Sequence, residues 1–209
     1  TASRGIVLIF DEITSAFRLN PGGVHMVCSS IRPDIAVFSK ALGNGYPIAA
    51  IIGRREVMEA AQSTFISSTA WTERLGPTAA LALIQKYQRE KVHEHIGAIG
   101  KRLVAGWEDI ATLHGLAIEI GGIGPCSHFS IACEEFGEAK SLFVQLMLDR
   151  GFLASNLCYC MFSHTDKQVD RYLSATDESF RILAEALAEN DIGERLRGKS
   201  AAPTFGRLT

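Results

Sequence analysis

The chain has 209 residues, with Lys plus Arg 21, Asp plus Glu 23 and a formal net charge of −2. That balance carries no basic stripe for nucleic acid or an anionic membrane surface, and the apolar runs are far shorter than a bilayer span. Five cysteines, an odd number with no Cys-x-x-Cys pair, point to reduced thiols and a cytoplasmic setting. In chain order, residues 5–10 (Gly-Ile-Val-Leu-Ile-Phe) form a continuous apolar run expected to be a strand buried on both faces, ending in Asp11-Glu12. A loop with Pro21-Gly22-Gly23 follows. Ile35-Ala36-Val37-Phe38, introduced by Pro33-Asp34, is a second such strand. Lys40 comes just past it, on a loop with Gly43, Gly45 and Pro47, before another apolar run at 48–52.

Beyond Arg54-Arg55-Glu56 a helix is expected through residues 57–61. From about Gly76 the pattern turns helical: Leu81, Ile84 and Tyr87 recur at near-helical spacing, as do Ile96, Ile99, Leu103 and Trp107. Next come strands at 116–120 and 127–133 around a turn at 121–125, helices at 139–150 and 166–188, and an irregular tail from 198. The glycine cluster Gly121-Gly122-Ile123-Gly124 lies between two strands with no helix to aim at a phosphate, which argues against a nucleotide loop. The expected division is a cofactor-binding portion at 1–92 and a small α/β domain at 93–209.

Two strand ends deliver an acid, Asp11, and an amine, Lys40, to one edge of an α/β sheet, the edge where such sheets bind ligands. Burial there lowers a lysine's pKa and frees the amine as a nucleophile for a Schiff base. Pyridoxal phosphate requires that pair: a lysine for its aldehyde and a carboxylate for its pyridinium nitrogen. If the strand persists past Asp11, alternation points Ile13 the same way, towards one face of the ring.

The segments LIFDEITSAFR, PDIAVFSKALGNGYPIAAIIGRREVM and STAWTERLGPTAALAL together resemble the class III (fold-type I) pyridoxal-phosphate aminotransferases, in particular the glutamate-1-semialdehyde aminomutase-like branch. SHTD at 163–166 fits the small domain of that family. The resemblance implies an α/β fold: part of a large domain with a mostly parallel sheet and helices, then a small α/β domain. It implies that Lys40 forms the Schiff base, that Asp11 meets the pyridine nitrogen, and that Thr72 contacts the cofactor phosphate of a neighbouring subunit in a homodimer. Thr69 is a second hydroxyl near that position. The residues around Thr72 and after Lys40 depart from the aminomutase pattern, which leaves the substrate open.

The reaction implied is amino transfer between a small-molecule amino donor and a carbonyl acceptor, or the aminomutase variant. Decarboxylases and racemases of the same family stay open. So do a nucleotide triphosphatase using the acidic strand at Asp11-Glu12, and a non-catalytic partner subunit. The resemblance also implies a substantial N-terminal segment before this sequence, or a complementing chain, so residues 1–209 alone are expected to be inactive.

Arg18 suits a substrate carboxylate, with loop packing or a subunit interface equally open. His25 and Tyr46 are open between the pocket and structural roles, with a structural role favoured for His25. His164 is placed on a loop near the substrate side. His93 and His95, two apart on a helix, do not share a face and make a poor metal pair. Cys158 and Cys160 flank Tyr159 on a strand and share a face; buried packing is favoured over a redox or metal role.

Overall fold

A computed structural model describes residues 4–28, 30–67, 69 and 72–200; Ser68, Ala70 and Trp71 of the third motif, and the tail beyond 200, lie outside it. The chain divides into two compact units, Thr1–His95 and Ile96–Thr209, at a point inside one long helix. No helix among the described residues is long and apolar enough to cross a membrane.

The first unit holds strands β1 (Ile9–Asp11), β2 (Ile35–Phe38) and β3 (Ala50–Gly53), a short helix α1 (His25–Cys28), helix α2 (Arg55–Met58) and helix α3 (Leu75–Arg89). Strand β1 runs parallel to β2, with Asp11 paired to Val37, and β3 returns antiparallel. Asp34 clasps the other end of this sheet. Its Oδ2 accepts the Leu8 N–H at 2.8 Å, and its Oδ1 meets Arg54 at 2.5 Å. One face of β2 is covered: Ala36 and Phe38 pack with Ala16, Phe17, Leu42, Ala80 and Tyr87. The Tyr87 hydroxyl donates to the Phe17 carbonyl at 2.8 Å, and burial pushes this phenol up to about 12.

The expectation of a doubly buried strand over 5–10 is not met. Regular pairing covers only its end, and Ile6, Val7 and Ile9 are exposed, as are Ile51 and Ile52 on β3. The reason is geometric: β1 and β3 are the outer strands, and among the described residues nothing pairs with their far edges.

The second unit comprises most of α4 (Val92–Leu113), β4 (Ile118–Ile123), β5 (Cys126–Ile131), α5 (Phe136–Asp149), β6 (Leu157–Tyr159), α6 (Asp166–Glu189) and α7 (Ile192–Arg195). Its sheet is antiparallel in the order β4-β5-β6. The glycine cluster ends a hairpin: Gly122 sits at φ +92°, where an added Cβ would lie 2.3 Å from the Cys126 carbonyl oxygen. Ile96, Ile99, Leu103 and Trp107 are all buried, as their spacing predicts.

Phe129 on β5 is the centre of this core, edge-on to Trp107, Phe143 and Phe180 with ring centroids 5.2–5.3 Å apart. In the SHTD motif, Thr165 is the cap of α6: its hydroxyl accepts from the Gln168 N–H, while the Gln168 side chain accepts from the Thr165 N–H. The His164 Nδ1 accepts the Met161 N–H at 3.3 Å.

Removing the Phe129 ring leaves a cavity among three other aromatics. Phe129→Ala should therefore cost about 3–5 kcal/mol, against less than about 0.5 for Leu153→Ala, whose side chain is 94% exposed. Urea unfolding midpoints of the two variants check this.

Candidate active site

Asp11 and Lys40 lie at the same end of neighbouring parallel strands, because Asp11 pairs with Val37 and Lys40 follows three residues later. The turn after β2 is tightly specified. The Ser39 hydroxyl donates to the Ile48 carbonyl at 2.8 Å, tying the strand end to the returning chain. The Lys40 carbonyl accepts from the Gly43 and Asn44 N–H groups. Lys40 sits at φ +45°, a left-handed conformation that costs about 1–3 kcal/mol outside glycine and that the surrounding bonds must hold. Gly43 has no alternative, since a Cβ there would lie 2.1 Å from the Tyr46 carbonyl oxygen.

Strand β1 ends at Asp11, and residues 13–17 form a turn. The Ile13 N–H donates to Asp11 Oδ1 at 3.0 Å, fixing the carboxylate over its own turn. Strand alternation therefore does not reach Ile13: the strand stops two residues before it, and its half-buried side chain is positioned by the turn. Thr14, which the sequence reading did not single out, is the meeting point. Lys40 Nζ donates to Thr14 Oγ1 at 2.5 Å, and Arg18 Nε donates to the Thr14 carbonyl at 3.2 Å. Its only signal in the sequence is its place three residues after Asp11. Lys40 is exposed, so the burial expected at its strand end is absent among the described residues.

Behind this surface lies Glu12, only 3% exposed. It accepts from the Ser15 hydroxyl, from the His25 N–H at 2.9 Å and from His25 Nδ1 at 2.8 Å. Burial alone would raise its pKa, but these donors outweigh burial and hold the carboxyl below the usual carboxylate range. His25 also meets Phe10 edge-on, and Gly23 leaves no room for a Cβ beside its ring. His25 is thus a structural partner of Glu12, and together they close the loop that starts at Asp11.

Thr72 and Thr69 are both exposed, in the segment before α3. Glu73 takes the helix terminus itself, accepting the Leu75 N–H at 2.7 Å and the Gly76 N–H at 3.3 Å. Gly76 approaches Ile48 and Pro47 closely, which packs α3 against the Lys40 turn. Tyr46 is exposed at that turn. His93 stacks on Tyr87 with centroids 5.8 Å apart, and no cluster of metal-ligating side chains exists among the described residues.

The sequence matches the family model described as Aminotransferase class-III over residues 1–176. The chain belongs to the class-III aminotransferase family. It is 31% identical over 187 residues to a 3-aminobutyryl-CoA aminotransferase of Cloacimonas acidaminovorans, covering 87% of this chain and 45% of that protein. It is 30% identical over 199 residues to a glutamate-1-semialdehyde 2,1-aminomutase of Desulforudis audaxviator, covering 87% and 46%. The chain thus spans about half the length of the curated relatives it matches. The fold is similar to that of the FumI protein of Sphingopyxis sp. MTA144, solved in its internal-aldimine form (TM-score 0.83, 24% identity, 90% of this chain and 45% of that one). It is also similar to that of an omega-transaminase from Sphaerobacter thermophilus (TM-score 0.79, 20% identity, 88% and 46%).

Pyridoxal phosphate is the cofactor of this family. The donor set fits it, because a carboxylate and a primary amine stand exposed at one sheet end with the amine turned towards the carboxylate's own loop. The nucleotide triphosphatase reading of Asp11-Glu12 is overturned by the family, and Glu12 is sealed inside the loop by Ser15 and His25.

Glu12→Gln removes the charge that three donors address. It should destabilise the first unit by about 1–3 kcal/mol. The sign with pH follows: a carboxyl whose folded pKa is lowered stabilises above its unfolded pKa, and that stability is lost as pH falls through the folded value. Denaturant melts of wild type and Glu12→Gln should therefore differ at neutral pH and converge in acid.

Proposed function

We propose that the protein is a pyridoxal-phosphate-dependent aminotransferase or aminomutase in which Lys40 anchors the cofactor and Asp11 pairs with its ring nitrogen. The observation that carries this reading is the parallel register of β1 and β2, with Asp11 opposite Val37 and the Lys40 amine reaching back to Thr14. When bound, the cofactor supplies an electron sink that makes the proton on the amine-bearing substrate carbon labile.

The chain's own residues then divide the work. Asp11, held by the Ile13 N–H through one oxygen, has a second oxygen to accept from a protonated ring nitrogen. A charge-assisted hydrogen bond of about 1.5–3 kcal/mol keeps that proton in place over about one to two pKa units. With its place on the cofactor taken by the substrate amine, the free Lys40 amine would be the base that takes the proton from the substrate carbon and delivers it to the cofactor carbon. Thr14 holds Nζ beside the Asp11 loop before that exchange. Ile13 offers an apolar contact to the ring, and Arg18 a guanidinium for a substrate carboxylate. Thr72 binds the cofactor phosphate of a second subunit, which makes the working unit a two-fold dimer. The substrates are an amino donor and a carbonyl acceptor, or a single amino-aldehyde whose nitrogen moves.

Purified together with the N-terminal segment or complementing chain expected from the resemblance, and loaded with pyridoxal phosphate, the protein should show a visible absorbance band that Lys40→Ala abolishes. Amino donors should convert that band to the pyridoxamine spectrum, with glutamate-1-semialdehyde and a 3-aminobutyryl thioester tried first because relatives act on them. A band that survives Lys40→Ala contradicts the assignment of the lysine. Loss of carbon dioxide or inversion of the donor, without a carbonyl product, contradicts transamination.

A further inference from the structure

The second unit carries a pair of thiols that the proposed chemistry does not use. Cys158 lies on β6 and Cys160 directly after it, where the Cys160 N–H still donates to the Pro125 carbonyl at 2.8 Å, so the extended pairing continues past the strand end. Alternation puts both side chains on one face, the face that Ser127 shares through its pairing with Cys158. At about 3.3 Å per residue their Cα atoms are about 6.6 Å apart, at the upper end of the 4.4–6.8 Å that disulfides span, so closure must draw the strand end in to bring the Cβ atoms to about 3.8 Å.

Their exposures differ. Cys160 is 2% exposed, whereas Cys158 is half-buried and lines a groove of about 380 Å³ with Phe152, Leu153, Tyr159, Met161 and Tyr172. All four described cysteines outside α1 are thiols. Their chemistry is not equivalent. The Cys160 thiol donates to the Cys158 sulfur and lowers the Cys158 pKa against the effect of burial. Burial and the Glu135 carboxylate push the Cys133 thiol up. The Tyr172 hydroxyl, which accepts from Trp107 Nε1 at 3.1 Å, completes the surroundings of the pair.

From this geometry we infer that Cys158 and Cys160 form a reversible dithiol site, which a small-molecule disulfide of the glutathione class closes to an intrachain disulfide. The Cys158 thiolate attacks one sulfur of the reagent. A Cys158–S–S–R bond forms, and one RS⁻ leaves. Cys160, deprotonated, then attacks the Cys158 sulfur, making the Cys158–Cys160 bond and expelling the second RS⁻. Two protein thiols lose two protons and two electrons, and the reagent is reduced to two thiols. A three-residue ring is strained, and strained disulfides are the labile ones, so excess monothiol reopens it.

Trypsin gives a clean readout. Residues 151–167, between Arg150 and Lys167, form one peptide that holds Cys158 and Cys160 and no other cysteine, while Cys126 and Cys133 share the peptide 103–140. The natively folded protein is treated with oxidised glutathione, alkylated and digested. Peptide 151–167 should then appear two hydrogens lighter and unalkylated, and revert after excess reduced glutathione. Cys160→Ser should retain a stable glutathione adduct on Cys158, and Cys158→Ser should take none because Cys160 is buried. The inference is overturned if wild-type peptide 151–167 stays alkylatable after oxidation, keeps the adduct without closing, or cross-links to peptide 103–140. The wild-type map decides it even if either serine variant fails to fold.

Discussion

Three pairings between two short parallel strands, Ile9 with Ile35, Phe10 with Ala36 and Asp11 with Val37, govern the whole candidate site. Both strands end at the same level, so whatever follows each one in sequence arrives at one edge. Strand β1 ends in the aspartate, followed by a turn; after β2 comes a serine that anchors the chain to Ile48, then the lysine. A slip of one residue would turn every side chain of β1 to the opposite face. Asp34 resists that slip from the far end, bonded to Leu8 on one side and Arg54 on the other. The register is thus fixed by a polar clasp at the far end, which leaves the end that carries Asp11 and Lys40 free to expose polar groups.

The same end separates two neighbouring acids into different roles. Asp11 and Glu12 are adjacent, yet one faces solvent and the other is sealed among Ser15, His25 and Gly23. A buried carboxylate is tolerable only when its lone pairs are taken, and three donors take them. Glu12 thereby holds the loop that carries Thr14 and Arg18, and Thr14 in turn receives the Lys40 amine. Support and chemistry come from consecutive residues.

Much of this was legible in the sequence because the signals were local. Ile35-Ala36-Val37-Phe38 is a strand since β-branched and aromatic residues cluster between Pro33 and a glycine-rich turn. Ile96, Ile99, Leu103 and Trp107 are buried because their spacing lines one helix face. What escaped depends on neighbours. The apolar run at 5–10 predicted burial on both faces, but β1 is an outer strand and Ile6, Val7 and Ile9 are exposed. Alternation aims Ile13 at the ring only if the strand continues past Asp11, and the strand stops there. Thr14, and the sealing of Glu12 by His25, arise from contacts across 13 to 26 residues that no period of the sequence encodes.

The central claim, that the amine reaching Thr14 is the one that holds the cofactor, is tested most directly by chemical trapping. The protein loaded with pyridoxal phosphate is reduced with borohydride, digested, and the pyridoxyl label mapped by mass spectrometry. The account predicts stoichiometric label on Lys40, lost when excess amino donor is added before reduction. Label on any other lysine, or labelling of Lys40 that is indifferent to the donor, contradicts it.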